Sequence, residues 1–157
     1  MSDKPDLGQV ALAWWEALPE DPGGRASLRR CSTVADATFV PAFHRLRWAA
    51  GEVRAETLAL IAVVLSHVRS NAAGASVGEQ MGSGKGDRAV VSELRFRRLL
   101  ERPASEPDDL AHDLIRVLRL LDGKLNIPDL VKGLQQWGWR TIPTQKKWAS
   151  DYFDAGR

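Results

Sequence analysis

Hydrophobic positions recur at helical spacing along almost the whole chain. After a tail of residues 1–5, Leu7, Val10, Ala11, Trp14 and Leu18 follow the i, i+3, i+4, i+7 rhythm of an amphipathic helix. Pro19 and the Asp21-Pro22-Gly23-Gly24 turn end it. A short helix from Arg25 to about Cys31 follows. Ser32 or Thr33 caps the next turn, and Phe39, Phe43 and Leu46 mark a helix reaching about Ala50, with Pro41 tolerated only near its start. Gly51 breaks it. Residues 54–70 carry Leu58, Ile61, Ala62, Leu65 and Val68 as a wide apolar stripe, which predicts the central core helix.

The pattern then changes. Asn71–Asp87 holds five glycines and little hydrophobicity, which predicts a flexible loop long enough to carry function. Ser92–Arg102 reads as a helix stopped by Pro103, with Phe96, Leu99 and Leu100 as its buried anchor. Arg95, Arg98 and Arg102 fall within roughly 60° of one another on its wheel. Pro107, Asp108 and Asp109 open the next helix, with acids in its first turn. Its apolar face is Leu110, Leu114, Val117, Leu118 and Leu121, and its opposite face carries His112, Arg116 and Arg119. Asn126 caps a helix with Leu130, Val131, Leu134 and Trp137, and a last helix from about Pro143 carries Trp148, Tyr152 and Phe153. Sustained period-2 alternation is absent. The predicted fold is all-α, a compact bundle of about seven or eight short helices. It forms a single helical domain over residues 1–157, or two helical subdomains, about 1–70 and 89–157, joined by the Gly-rich flexible loop 71–88.

Composition adds little to this except in the placing of charge. A 44% hydrophobic and 27% charged chain is ordinary for a soluble globular protein, and a net charge of +2 does not by itself announce nucleic acid. The longest apolar run, Leu58–Leu65, is too short to span a bilayer, and the start of the chain carries no apolar leader, so a cytoplasmic protein without a membrane partner is expected. The one cysteine, Cys31, excludes an internal disulfide and a cysteine-based metal site.

Catalytic patterns fail one by one. His44, His67 and His112 lie on three different predicted helices, and none has a second ligand at metal spacing. Asp108 and Asp109 point about 100° apart, so helix N-terminal charge explains them better than a carboxylate pair. Ser66 beside His67 has no nucleophile elbow. Gly82-Ser83-Gly84-Lys85-Gly86 departs from a phosphate-binding loop, since Glu79 stands where the first glycine belongs and Gly86 where Ser or Thr is needed. A flexible arm carrying Lys85 and Arg88 toward a polyanion and a plain disordered loop both remain open. No enzyme, cofactor or metal is expected.

Trp14, Trp48 and Trp148 sit at or near helix core positions, so burial is expected for them. Trp15 and Trp139 neighbour better core candidates, and Trp139, directly before Arg140, suits base stacking or a partner contact. The basic residues form four clusters: Arg25, Arg29 and Arg30; Arg95, Arg98 and Arg102; Arg116 and Arg119; Arg140, Lys146 and Lys147. With acids displaced to helix starts, these clusters point to a phosphate-contacting groove, or to an arginine-rich face of a helical protein–protein adaptor. A helix-turn-helix regulator fits poorly, because the Ser92–Arg102 helix lacks Asn and Gln.

An N-terminal Trp-Trp helix followed by R-A-S-L-R-R (Arg25–Arg30), P-A-F-H-R-L (Pro41–Leu46), L-R-F-R-R-L-L (Leu94–Leu100), L-I-R-V-L-R-L-L (Leu114–Leu121) and I-P-D-L-V-K-G-L-Q-Q-W-G (Ile127–Gly138) resembles the CasB family. That family is the small subunit of the type I-E CRISPR Cascade complex, and the likeness, carried by order, spacing and length, covers nearly the whole chain. The resemblance implies a non-enzymatic, all-helical subunit of an antiviral complex that pairs with a second copy of itself. It also implies other Cascade subunits, crRNA and target DNA as partners, with backbones of the duplex and displaced strand held by basic residues. Arg29, Arg30, Arg95, Arg102, Arg116 and Arg119 match the family's basic positions. The segment with Arg140, Lys146 and Lys147 departs from the family pattern.

Overall fold

The computed structural model describes residues 6–84 and 88–157, and these are all-α. Nine α-helices run in chain order: α1 (Leu7–Ala17), α2 (Pro22–Arg29), α3 (Pro41–Ala50), α4 (Ala55–Leu65), α5 (Val77–Gly82), α6 (Glu93–Leu100), α7 (Pro107–Leu120), α8 (Ile127–Gln135) and α9 (Pro143–Ala155). Two 3₁₀ segments, Leu18–Glu20 and Val34–Phe39, link the first of them. The one sheet among the described residues is a parallel pairing of two-residue strands, β1 (Ser70–Asn71) and β2 (Lys124–Leu125). No helix in the described residues is long and apolar enough to cross a membrane.

Eight of the helices are those the pattern predicts, and α5 is the ninth. It lies inside the stretch read as loop. Ser76 caps it, its hydroxyl accepting the Glu79 N–H (3.2 Å), and Val77 and Met81 are buried. Its glycines are its contact surface, since Gly78 and Gly82 lie directly against the backbone of α9 at Trp148 and Tyr152.

α4 is the hub, as its stripe predicts. Every residue from Leu58 to Leu65 is buried, which explains its apolarity on all sides. At about 1.5–3 kcal/mol for each fully buried aliphatic side chain, this helix is the largest single contributor to the core. It ends at Leu65, earlier than the expected residue 70, because the chain turns there to meet β2. Arg69 and Ser70 both donate their N–H groups to the Gly123 carbonyl (2.8 and 3.2 Å), and Gly123 takes the left-handed φ of 75° that the turn requires. The carbonyls left unpaired by the helix at this end are capped from elsewhere. Arg25 donates to the Ser66 carbonyl (3.2 Å) and the Val68 carbonyl (2.8 Å), and the Trp15 indole N–H donates to Val68 as well (3.1 Å).

Local chemistry explains three further departures. The Asp21-Pro22-Gly23-Gly24 turn is the first turn of α2, with the Asp21 carboxylate accepting the Gly24 N–H (3.0 Å) and Pro22 at the first helical position. Phe39 belongs to a 3₁₀ segment and is 85% exposed, not part of the α3 core face. Trp48, expected to be buried, is 68% exposed: α3 buries Ala42, Phe43 and Leu46, and Trp48 stands about 200° round the helix from Leu46.

Aromatic groups join α9 to α6. Phe96 stacks on Tyr152 (centroids 4.0 Å apart, planes 6° from parallel), and Trp137 meets Trp148 edge-on at 5.3 Å. The Tyr152 hydroxyl donates to the Val91 carbonyl (2.6 Å), and the Trp137 indole donates to the Arg102 carbonyl (2.7 Å). Those two carbonyls flank α6, so the arginine-bearing helix is held at both ends.

Candidate nucleic-acid interface

α6 begins where the Ser92 hydroxyl accepts the Arg95 N–H (3.3 Å). It buries Phe96 and Leu99, half-buries Leu100, and leaves Arg95, Arg97 and Arg98 in solvent. α7 buries Leu110, Leu114, Val117 and Leu118 and exposes His112, Arg116 and Arg119. Between the two helices runs a groove of about 320 Å³ lined by Arg95, Arg98, Arg102 and Arg116. Leu94 and Leu120, both exposed, form its apolar walls.

The four arginines are not equivalent. Arg102 donates through Nε to Asp113 (2.6 Å), with Asp109 at 3.9 Å, and the Asp113 hydrogen bond raises its pKa. It is a fixed wall with a largely compensated charge. Arg95, Arg98 and Arg116 form no ion pair among the described residues, so their charge faces the groove uncompensated. Arg97 points elsewhere and pairs with Glu93 along the helix (3.2 Å).

A second basic hollow, about 360 Å³, lies where the end of α1 meets α2 and is lined by Arg25, Arg29 and Arg30. Arg25 is the staple on the end of α4, so Arg29 and Arg30 are its free charges. His67 lines neither hollow but feels arginines of more than one cluster. Half-buried just past α4, it feels Arg29, Arg119 and Arg25. Desolvation first, then these three charges, bring its pKa from 6.5 to about 4. Arg119 is one helical turn from Arg116, the groove arginine. The groove thus brings together members of two predicted clusters, Arg95 and Arg98 with Arg116, while Arg29 and Arg30 of a third line a separate hollow.

The His67 environment gives a pH dependence of definite sign. Folding depresses the pKa, so between pH 6.5 and about 4 the unfolded chain binds a proton that the folded chain refuses. The stabilising contribution of neutral His67 is complete above pH 6.5 and is lost as pH falls toward 4. His67→Gln should flatten that limb of a urea-denaturation series run across the window. An unchanged pH profile in the variant would contradict the assignment. Asp21 and Asp151, whose pKa values are lowered, act in a separate window below the ordinary carboxylate range.

The family model for CRISPR-associated protein Cse2 matches residues 24–153, most of the chain and all of the groove. The chain belongs to the Cse2 family. CasB from Thermus thermophilus has the same fold, with a TM-score of 0.74 and 22% identity over 98% of this chain and 99% of its own. A chain of a CRISPR RNA-guided surveillance complex superposes with a TM-score of 0.71 and 20% identity over 96% of this chain and 95% of its own. No curated protein matches the chain in sequence.

In this Cse2 chain the remaining predicted basic residues lie apart from the groove. Arg140 and Lys146 are exposed, on the turn before α9 and on α9 itself, and Lys147 is paired with Asp151 (2.6 Å). None of the three lines either hollow. Lys85 and Gly86 of the glycine segment lie outside the described residues, and Arg88 is exposed. Asp108 does not pair with Asp109. Its carboxylate accepts the Val34 N–H (2.7 Å), fastening α7 to the 3₁₀ segment. Among the described residues no cluster of His, Cys, Asp and Glu is arranged to hold a metal. A wider hollow, about 730 Å³, lies between α2 and α3, where Arg45 is neutralised by Asp21. The pairing of Asp113 with Arg102 and the arginine-flanked setting of His67 are not legible in the sequence. Neither has a local signature, because their partners come from other parts of the chain.

Proposed function

We propose that this Cse2 chain is a non-catalytic subunit of a CRISPR Cascade surveillance complex, holding nucleic-acid backbones through the groove arginines Arg95, Arg98 and Arg116, with Arg29, Arg30 and Arg119 as further contacts. The observation that carries the reading is the groove between α6 and α7, where two helices place three uncompensated guanidinium groups together. Guanidinium forks suit phosphate oxygens, and the apolar walls beside them lower the local dielectric. Contacts of this kind are blind to sequence. Exchanging a DNA duplex for an RNA–DNA hybrid is nearly balanced in energy, so sequence-blind contacts suffice to tip an R-loop. The partners on this reading are the other Cascade subunits, crRNA, target DNA and a second copy of the chain. The surveillance-complex chain that shares its fold supports it.

The test is a salt series with the purified protein and a DNA duplex. Log affinity should fall linearly with log salt, with a slope of about −0.9 for each phosphate neutralised. A salt-independent affinity would sink the reading. One observation favours the adaptor alternative: Trp139 and Ile142 stand 55% and 46% exposed on one tight turn, closed by the Ile142 N–H to the Trp139 carbonyl (2.9 Å). Ile142 holds φ 45°, which a β-branched residue resists. An anchor for a protein partner can sit on that turn without disturbing the groove.

A further inference from the structure

On α3, away from the groove, a half-buried His–Arg pair supports an exposed ring. On α3 the His44 Nε2–H donates to the Thr38 carbonyl (2.8 Å), which leaves Nδ1 with its lone pair free. The Arg47 Nε–H donates to that lone pair (3.1 Å). The guanidinium thus fixed sits over the Trp48 ring, its carbon 5.9 Å from the centroid, and His44 lies 6.2 Å from the same ring. Trp48 is 68% exposed, the largest side chain on the solvent side of α3. Arg47 forms no ion pair among the described residues. Phe39, next in sequence to the Thr38 anchor, is 85% exposed.

We propose that Trp48 is a stacking platform for an unpaired nucleobase, with Arg47 taking the adjoining phosphate. The proposal rests on the backbone-holding reading above and adds a base-contacting site to it. The ligand follows from the chemistry present. A protein partner would use a continuous apolar face, but the apolar face of α3 is already buried, and Trp48 is flanked by Arg47 and Ala49. What remains on α3 is one flat ring beside one uncompensated cation, and a nucleotide offers one flat ring beside one anion. Arg47 spends a single N–H on His44, so its terminal nitrogens stay available for phosphate oxygens. The relay from Thr38 through His44 holds this geometry before any ligand arrives, which reduces the ordering cost of binding. Duplex DNA keeps its bases stacked internally, so the platform serves single strands.

The experiment compares an oligothymidine single strand with a duplex of equal length, using the full chain at fixed salt. Trp48→Ala should weaken single-strand binding at least about fivefold, the lower end of the loss per stacked base. Trp48→Phe should retain most of the affinity, and duplex affinity and the salt slope should stay unchanged in both variants. Single-strand affinity unchanged in Trp48→Ala, or equal losses on both nucleic acids, would overturn the platform. So would normal single-strand binding combined with failure of the variant to assemble with protein subunits, which marks a protein contact instead. If the wild-type chain binds duplex in a salt-dependent way but no single strand, the platform fails and the groove stands. If it binds neither, both fail.

Discussion

Replacing Gly82 with alanine is expected to lower the melting temperature by roughly 4–12 °C. A Cβ built there would lie 2.3 Å from the Tyr152 carbonyl oxygen and 2.9 Å from its Cα, and one on Gly78 would lie 2.6 Å from the Trp148 carbonyl oxygen. These neighbours are backbone, so no rotamer change relieves the overlap, and α5 and α9 must separate. Alanine's helix propensity offsets at most about 1 kcal/mol. Overpacking costs about 1–3 kcal/mol in ordinary cores, and contact with rigid backbone belongs at the upper end. Near this chain length each kcal/mol moves the midpoint by about 2–4 °C. Thermal unfolding followed by circular dichroism checks it, and a midpoint unchanged or raised would refute the close approach. The consequence reaches the groove. Tyr152 stacks on Phe96 and holds Val91, so displacing α9 loosens the seat of α6.

The same glycines show why α5 was illegible in sequence. Gly78 and Gly82 carry no hydrophobic signal, and their low propensity reads as loop. Their value lies in the side chains they lack, which becomes visible only once α9 is laid against them. α4 is the opposite case. Its stripe is apolar on every side, and burial on every side is what results. Helix ends were harder to read than helix existence. α4 stops short of residue 70 because Gly123, far along the chain, offers its carbonyl to Arg69 and Ser70.

The candidate site divides along the same line. The arc of Arg95 and Arg98 and the polar face with Arg116 and Arg119 follow from helical periodicity alone, and the two faces do meet across one groove. Periodicity is silent on what each charge touches. Arg102 shares the arc but is engaged by Asp113, and Arg25 shares a face with Arg29 but caps α4. Charge in a sequence is a count, whereas charge available to a ligand is what remains after internal pairing. Trp48 makes the matching point for aromatic residues, since an offset of two positions from Leu46 turns a core residue into a surface one.

That distinction sets the sharpest test of function. Reversing Arg95, Arg98 and Arg116 to glutamate should weaken nucleic-acid binding at least about a hundredfold and flatten the salt slope by nearly three. At contact distance in water each lost attraction is about 1 kcal/mol, and each reversal adds a comparable repulsion. Screening at physiological salt reduces the total to about 3 kcal/mol, or two orders of magnitude. The slope falls because about 0.9 counterions are released for each phosphate contact on B-DNA. A matched variant with Arg54, Arg97 and Arg157 reversed carries the same change in net charge outside the groove, two of its arginines already being paired with Glu56 and Glu93. It should bind within a few-fold of wild type. If the two variants weaken binding equally, the protein attracts nucleic acid by net charge alone, and the groove has no part in it. Melting curves for both keep folding out of the comparison, since all six side chains are exposed and none supports the core.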